Sequence, residues 1–321
     1  MSEQCVACQG AMVDPVGIFF DDRYAYPGIF TSMRCRECGH AFIQHDFTPE
    51  QLADMYSNYY PRTNFDLDMH QPYKEQVGIS AWLDGVKSSA FRWVPENVRV
   101  LDIGCGFGET LGYHMARGCD AYGVEADENI RRVADKFGYK VHVGLFDANL
   151  YEPDFFDYVT MDQVLEHVTD PLGTLKGVVR VLKPGGIAVV SFPNANGWGA
   201  KVFGRRWINW HAPYHLQFYS DESLKRLASE AGLEIVESRT ITPSAWLHFQ
   251  WIHLITYPKQ GEPSKFWAGS ACGKPVEFPL VQRLMMRIAG LVHRLKLNHL
   301  ATRLFDALGV GDNRLVLLRK P

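Results

Sequence analysis

The sequence predicts an α/β fold: a largely parallel sheet covered by helices, a small cysteine-held module ahead of it and a helical insertion near its end. Three observations carry this reading. Apolar runs alternate with helical stretches between about residues 96 and 241. The first run opens into a turn with three glycines at alternate positions. Two C-x2-C pairs stand in front of everything else.

The chain is organised around residues 98–111, V-R-V-L-D-I-G-C-G-F-G-E-T-L. The apolar run, which contains Asp102, reads as a buried strand; Gly104, Gly106 and Gly108 read as the tight turn into a helix. Glycine is needed where the backbone turns sharply or a ligand must approach it closely. A turn at the carboxyl end of the first strand of an α/β sheet is where nucleotide-like ligands sit. The third glycine of the G-x-G-x-x-G fingerprint is replaced by Glu109, and no phosphate-cradling G-x-x-x-x-G-K-[ST] is present. On its own, an ordinary strand-to-helix turn would look the same.

The next elements sharpen the pattern. Cys119–Glu125 reads as a second strand ending in an acid. Glu125 follows Asp102 by 23 positions, close to the offset of roughly 20 residues at which a carboxylate meets a ribose. Lys140–Gly144 reads as a third strand leading to Asp147. Phe156–Met161 is a fourth, leading into Asp162-Gln163-Val164-Leu165-Glu166-His167. A helix then runs to Leu182, stopped by Lys183-Pro184-Gly185-Gly186, and Ile187–Phe192 is a fifth strand ending at Pro193-Asn194.

With these residues in order, the chain resembles the class I S-adenosylmethionine-dependent methyltransferases. The matching stretches are V-L-D-I-G-C-G-F-G (100–108), G-V-E-A (123–126), F-D-Y-V-T-M-D-Q-V-L-E-H-V (156–168) and V-L-K-P-G-G with its S-F-P-N. The resemblance covers about residues 96–241 and the final strand. It implies a seven-stranded Rossmann-like sheet with S-adenosylmethionine over Asp102, Gly104, Gly106 and Gly108. It further implies Glu125 and Ala126 at the ribose, Phe146 and Asp147 at the adenine, and Met161 on the methyl side.

A chain of 321 residues, 46% hydrophobic and 21% charged, suffices for one large domain with additions. No apolar run reaches the length of a spanning helix. Met1-Ser2-Glu3-Gln4-Cys5 has neither the basic nor the apolar region of a signal peptide. The expectation is a cytoplasmic, thiol-reducing setting, in which cysteines are free or metal-bound.

Cys5-x2-Cys8 and Cys35-x2-Cys38, 26 residues apart, suit a closed tetrahedral zinc site. The spacer is longer than the usual roughly 15–20 residues. Glycines follow each pair (Gly10, Gly39), as in zinc-ribbon knuckles. With four thiolates and no open position, the zinc is expected to be structural. Residues 1–60 hold eight acids and three bases. Phosphate binding needs a basic footprint, so this module argues against nucleic acid.

Thr48-Pro49-Glu50 opens a helix to about Asn58: a cap, a first-turn proline and an acid. It runs into Tyr59-Tyr60-Pro61. A ribbon, a short helix and a Tyr-Tyr stretch before the core resemble bacterial methyltransferases of sugars and small metabolites, which implies Tyr56, Tyr59 and Tyr60 near the methionine end of the cofactor. The alternative is a set of core aromatics. Residues 72–93 read as a further helix covering the sheet.

After the fifth strand comes an aromatic-rich segment from Trp198 to Tyr219, in which His215-Leu216-Gln217-Phe218-Tyr219 resembles the family's H-L-x-F-Y/F segment. Asp221–Ala231 follows as a helix capped by Ser220 and ended by Gly232. Leu233–Glu237 starts a sixth strand, and Arg314–Lys320 is the seventh. Between them lies an insertion with helical patterning from Leu280 to about Leu308. Residues 239–321 carry twelve bases and four acids. That excess fits a solvated face, attraction for an anionic substrate, or peripheral contact with a membrane surface.

The expected division is 1–47 zinc-ribbon module, 48–95 helical connector or lid, 96–241 methyltransferase core, 242–312 helical insertion on the substrate side and 313–321 final strand. The expected activity is methyl transfer to a small, anionic metabolite such as a nucleotide-linked sugar or natural-product scaffold. An RNA methyltransferase and a catalytically silent binding module are the alternatives. A general base would serve a hydroxyl or acidic carbon acceptor; the candidates are His215, His167 and His211, in that order. His211 and His215 are four apart, as metal ligands on a helix would be, but Pro213 between them argues against a regular helix.

Overall fold

Seven strands form the central sheet, in the order β10-β11-β8-β7-β4-β5-β6. The structure, a computed structural model, describes residues 4–45, 47–59, 67–272 and 277–321. The core strands are β4 (Arg99–Ile103), β5 (Asp120–Glu125), β6 (Lys140–Val143), β7 (Phe156–Asp162), β8 (Leu182–Pro193), β10 (Glu234–Thr240) and β11 (Asn313–Arg319). Only β11 runs against its neighbours: it pairs antiparallel with both β8 and β10. The C-terminal run predicted as the last strand therefore slots between the fifth and sixth core strands. Parallel strands covered on both faces must be apolar throughout; Val100, Leu101, Val159, Met161, Ala188 and Val190 are all fully buried.

A second sheet, β1-β2-β3-β9, is built from β1 (Val13–Phe19), β2 (Phe30–Cys35), β3 (Ala41–Gln44) and β9 (Gln217–Phe218). Its fourth strand comes from the aromatic segment of the core, through Ala41↔Phe218 and Phe42↔Gln217. The ribbon also shares its buried side chains with that segment: Phe19, Phe30, Ile43 and Met55 pack with Trp207, Trp210, Tyr214 and Phe218.

The helices are α1 (Pro49–Asp54), α2 (Gly78–Asp84), α3 (Glu109–Ala116), α4 (Ile130–Phe137), α5 (Pro171–Val181), α6 (Trp198–Phe203), α7 (Asp221–Ala231), α8 (Ser244–Ile255), α9 (Lys265–Cys272), α10 (Leu280–Arg294) and α11 (Leu297–Ala307). The predicted starts hold where capping chemistry is explicit. The Thr48 hydroxyl accepts from the Gln51 N–H while Gln51 reaches back, and Ser220 and Ser223 form the same reciprocal box at α7.

Four expectations are corrected. The helix predicted to reach Asn58 stops at Asp54 and widens into a π turn, Met55–Tyr59. Residues 72–93 do not form one helix; α2 covers only 78–84 and ends at Gly85, whose left-handed φ of 74° closes it before two 3-10 turns, Val86–Ser88 and Ala90–Trp93. The pattern from Leu280 to Leu308 is two helices, broken at Lys296 with φ 61°. Strand β8 begins at Leu182 rather than Ile187, so Pro184-Gly185-Gly186 lies within a register shift opposite Phe156–Tyr158. Helix α8 escapes sequence reading because Ser-Ala-Trp-Leu-His-Phe-Gln-Trp-Ile-His-Leu-Ile is apolar nearly all round and shows no clear period.

Gly85 sets a test of this packing. A methyl group there would run into the Thr242 carbonyl oxygen and the Arg303 guanidinium, whereas one at Gly138, also left-handed, would meet nothing within 4 Å. Gly138→Ala should cost about 1 kcal/mol, the conformational penalty alone. Gly85→Ala should cost roughly 3 kcal/mol. Urea unfolding of the two variants checks the difference; equal losses would refute it.

Candidate active site

The carboxyl edge of the central sheet gathers the predicted residues. At the end of β4 the turn through Gly104, Gly106 and Gly108 has φ of 78°, 56° and 81°, values that glycine alone adopts readily. Each glycine has its own reason. A Cβ at Gly104 would run into Val164, one at Gly108 would press on Tyr139, and one at Gly106 would meet nothing within 4 Å. The outer side of the turn at Gly106 is therefore open to a ligand.

Glu125 ends β5 beside this turn. Its carboxylate accepts from the Gly106 N–H at 3.0 Å and from the Asp127 N–H at 2.8 Å. Ala126 next to it is exposed. The Gly144 N–H donates to the Glu125 carbonyl at 2.8 Å, which brings residues 145–147 alongside. Asp147 caps a short 3-10 turn through the Asn149 N–H, Phe146 is half-buried, and Leu145, which the sequence reading missed, is 82% exposed.

Two predicted cofactor residues sit deeper. Asp102 is buried; its carboxylate accepts from the hydroxyls of Thr160 (2.6 Å) and Thr110. Burial pushes it up to about 6. It braces the turn from below. Met161 is fully buried and pairs in register with Ile103 and Val190, so it forms the floor under the site rather than its lining. Tyr60 lies outside the described residues. Tyr59 meets Tyr26 edge to face at 5.0 Å, the packing of a core aromatic.

Beyond β7 the chain bends at Gln163, a non-glycine residue with φ 57°. Its side chain donates to the Ser191 hydroxyl (2.8 Å) and the Asn313 side-chain amide oxygen Oδ1 (2.9 Å), which hold it in this sparsely populated conformation. Before it, Asp162 is pushed up to about 7 by burial, against hydrogen bonds from Ser191 and Ser89. After it come Val164, against Gly104, and the 3-10 turn Leu165–His167.

The three predicted histidines form one cluster. The rings of His167 and His215 meet edge to face at 4.7 Å, and those of His211 and His215 at 4.9 Å. His167 Nδ1 lies 2.9 Å from the Tyr214 carbonyl and 3.1 Å from the Tyr56 hydroxyl; His215 Nδ1 lies 2.8 Å from the Asn209 carbonyl. A carbonyl only accepts, so both Nδ1 atoms carry the proton and both Nε2 atoms keep a lone pair. Burial lowers His167 to about 4 and holds His211 and His215 well below the ordinary imidazole range, so all three are neutral near pH 7. His211 has φ 37° and is not on a helix with His215. Glu166, to which the sequence reading gives no role, joins them: it is fully buried, and neither oxygen has a hydrogen-bond partner among the other described residues. Burial raises its carboxyl well above the usual range. One potential ligand atom each from Glu166, His167 and His215 lie within 4.8 Å of one another.

At the far end of the ribbon, the four predicted cysteines converge. Cys5 and Cys38 sulfurs are 3.6 Å apart, as are those of Cys8 and Cys35, and all four lie within 4.8 Å. A tetrahedron of zinc–sulfur bonds has edges of about 3.8 Å. Each knuckle turns back on itself: Gln9 and Gly39 N–H groups donate to the Cys5 and Cys35 carbonyls at 2.8 and 2.9 Å. The left-handed position of the first knuckle is Gln9, not Gly10, whose Cβ would collide with Glu37.

Residues 73–238 match a family described as a methyltransferase domain. A ubiquinone biosynthesis O-methyltransferase of Cupriavidus pinatubonensis is 32% identical over 175 residues, 50% of this chain and 68% of that one. Its counterpart in Thiobacillus denitrificans is 32% identical over 169 residues, covering 47% and 73%. Among solved structures, a Haemonchus contortus phosphoethanolamine N-methyltransferase 2 aligns over 88% of this chain and 62% of its own, with a TM-score of 0.51 and 19% identity, a likeness of fold alone. By its glycine turn, its strand order and these relatives, the chain belongs to the methyltransferase-domain family and is a class I S-adenosylmethionine-dependent methyltransferase.

Proposed function

We propose that the enzyme methylates a hydroxyl of a small, anionic metabolite, with His167 taking up the acceptor's proton. The observation that carries this reading is the pinned imidazole pair beside the glycine turn. Both Nδ1 protons are committed to carbonyls, so only Nε2 can accept. His167 is the one of the three that is partly exposed, while His211 and His215 are buried; accessibility therefore moves His167 ahead of His215, which orients it. O-methyl transfer by the two bacterial relatives supports an oxygen acceptor. A groove lined by Phe19, Arg34, Asn196, Lys201, Arg205 and Trp210, with no acid, supports an anionic, partly apolar substrate. The intact turn weighs against a silent module, and the acidic ribbon, with Arg36 already paired to Asp14 at 2.5 Å, weighs against RNA.

S-adenosylmethionine supplies an electrophilic methyl group. The turn at Gly104, Gly106 and Gly108 would take it against the backbone, Glu125 and Ala126 would meet its ribose, and Leu145, Phe146 and Asp147 would border its adenine. The chain's remaining contribution is to hold the acceptor oxygen in line and unprotonated. For the ribbon, Cys5, Cys8, Cys35 and Cys38 would hold one structural zinc. Burial pushes the Cys5 thiol up to about 11, so a dication is what would stabilise thiolates there.

Titration calorimetry with S-adenosylhomocysteine should show binding that weakens about tenfold or more in Glu125→Ala, since a charged hydrogen-bond acceptor is removed. Binding indifferent to that change would refute the cofactor placement. With a substrate in hand, His167→Asn should lower turnover by about a hundredfold with cofactor affinity preserved. Because His167 titrates near 4 in the folded protein, wild-type turnover should be flat above about pH 6 and fall as pH drops toward 4. Folding stability should be lost in the same direction, since the unfolded imidazole, titrating at about 6.5, binds the proton first. Near-normal turnover in all three histidine variants would leave positioning alone to carry the reaction; wild-type turnover abolished by a chelator with the ribbon intact would favour a cation at Glu166, His167 and His215 instead.

A further inference from the structure

Helices α10 and α11 turn their apolar faces away from the protein. Along α10 and its C-cap, Leu280, Leu284, Ile288, Leu291 and Leu295 recur at three- and four-residue spacing, and each is more than half exposed. The inversion is plainest in α11. Asn298, His299, Thr302 and Arg303 are buried, while Leu297, Leu300 and Leu304 are 52%, 55% and 58% exposed. A surface helix ordinarily does the opposite.

The polar inner face of α11 is hydrogen-bonded into the fold, although Asn298 Nδ2, His299 Nδ1 and Arg303 Nε have no partner among the described residues. Thr302 meets the Ser244 hydroxyl at 2.9 Å, Asn298 accepts from the Trp251 indole at 3.3 Å, and Arg303 donates to the Trp82 carbonyl at 3.0 Å and pairs with Asp306 at 2.7 Å. The outward leucines contribute nothing comparable to folding. Helix α2, beside α11, adds exposed Ile79 and Trp82. An exposed apolar surface of this extent marks a binding face.

Charge identifies the occupant. No acid lies between Glu277 and Asp306. Lys296 is paired with Asp84 at 2.9 Å, but Arg283, Arg287 and Arg294 are exposed, show no ion pair with a described residue, and line one flank of the leucine stripe. We propose that this face seats on an anionic lipid bilayer, with the leucines at the acyl boundary and the three guanidiniums among the headgroups. A second copy fits less well, because an isologous contact would lay both arginine rows together with no carboxylate between them. Nor is this a spanning element: no helix among the described residues is long and apolar enough to cross a membrane.

The face has a defined relation to the chemistry. The insertion leaves the sheet after Thr240 and re-enters at Asn313, which pairs with Pro193 at the carboxyl end of β8. That is the edge holding the glycine turn and the histidine cluster. The segment lies outside the 73–238 family match, so membrane seating is a property of this chain's insertion and stands independently of the acceptor chosen above.

Co-sedimentation of the intact protein with vesicles tests it. Binding to phosphatidylcholine–phosphatidylglycerol vesicles should exceed binding to phosphatidylcholine alone by about tenfold or more, and should weaken as salt rises. Leu284→Asp with Leu300→Asp, and separately Arg283→Glu with Arg287→Glu and Arg294→Glu, should each remove most of that binding while thermal unfolding stays unchanged. Equal binding to the two vesicle types, or no effect of either set, overturns the proposal. So does a dimer in sedimentation velocity that Leu300→Asp dissociates, which would assign the face to a second copy.

Discussion

The histidine pocket depends on how segment 214–220 is tied down. Its β9 residues pair with β3 of the ribbon, and the Leu216 carbonyl accepts from the Ile43 N–H at 2.9 Å. On its other side, the Leu216 N–H donates to the Glu166 carbonyl at 2.7 Å, and the Tyr219 hydroxyl donates to the Leu165 carbonyl at 2.8 Å. Gln217 bridges His40 of the ribbon to the Val168 carbonyl, and Ser220 donates to the Cys38 carbonyl. The segment is thus a strap between two structures, the ribbon at 38–43 and the turn at 165–168, whose facing ends, residues 43 and 165, lie 122 positions apart in sequence. His215 faces His167 because both ends of the strap are fixed, and the Tyr214 carbonyl that sets the His167 tautomer belongs to the same strap. Under this arrangement the ribbon is tied through the strap to the turn that carries His167.

Burial, more than pairing, sets the charge of the groups at the site. Asp162, Glu166 and the three histidines are all shifted toward their neutral forms. An ionised carboxylate left alone in such surroundings is costly, so the group takes up a proton instead. Neutral imidazoles with one nitrogen committed are poor acids and available bases. A site of this kind accepts a proton only when a substrate offers one in place, which suits a reaction whose acceptor must be deprotonated without water competing for the methyl group.

Much of this was legible in the sequence. The sequence order of the strands, the glycine turn and the two C-x2-C pairs follow from local chemistry, because turn geometry, spacing and capping act over a few residues; the seven-stranded sheet comes with the family resemblance. Glu166 carries no role in the sequence reading because nothing in its local pattern shows that it is buried without a hydrogen-bond partner beside His215, 49 positions away. The family resemblance puts Met161 on the methyl side, whereas its side chain lies fully buried in the core. The division at residue 47 was expected from the cysteine module's composition, whereas the shared aromatic core with Trp207, Trp210 and Tyr214 could be seen only in three dimensions. Helices α10 and α11 showed their period clearly, but a period cannot tell which face is covered.

The most direct measurement is native-state hydrogen exchange at the Ile43 and Leu216 amides, in the full chain as purified with zinc confirmed by elemental analysis, and again after chelation or in Cys38→Ser. Loss of metal should raise exchange at Ile43, Leu216 and the Cys35 amide, which bonds the His40 carbonyl at 2.8 Å, together. The Gly104 and Cys105 amides, bonded to the Val124 carbonyl at 2.8 and 3.1 Å, should stay protected. Protection at Leu216 that survives loss of the metal would contradict the claim that the metal-bound ribbon holds the histidine-bearing strap in place.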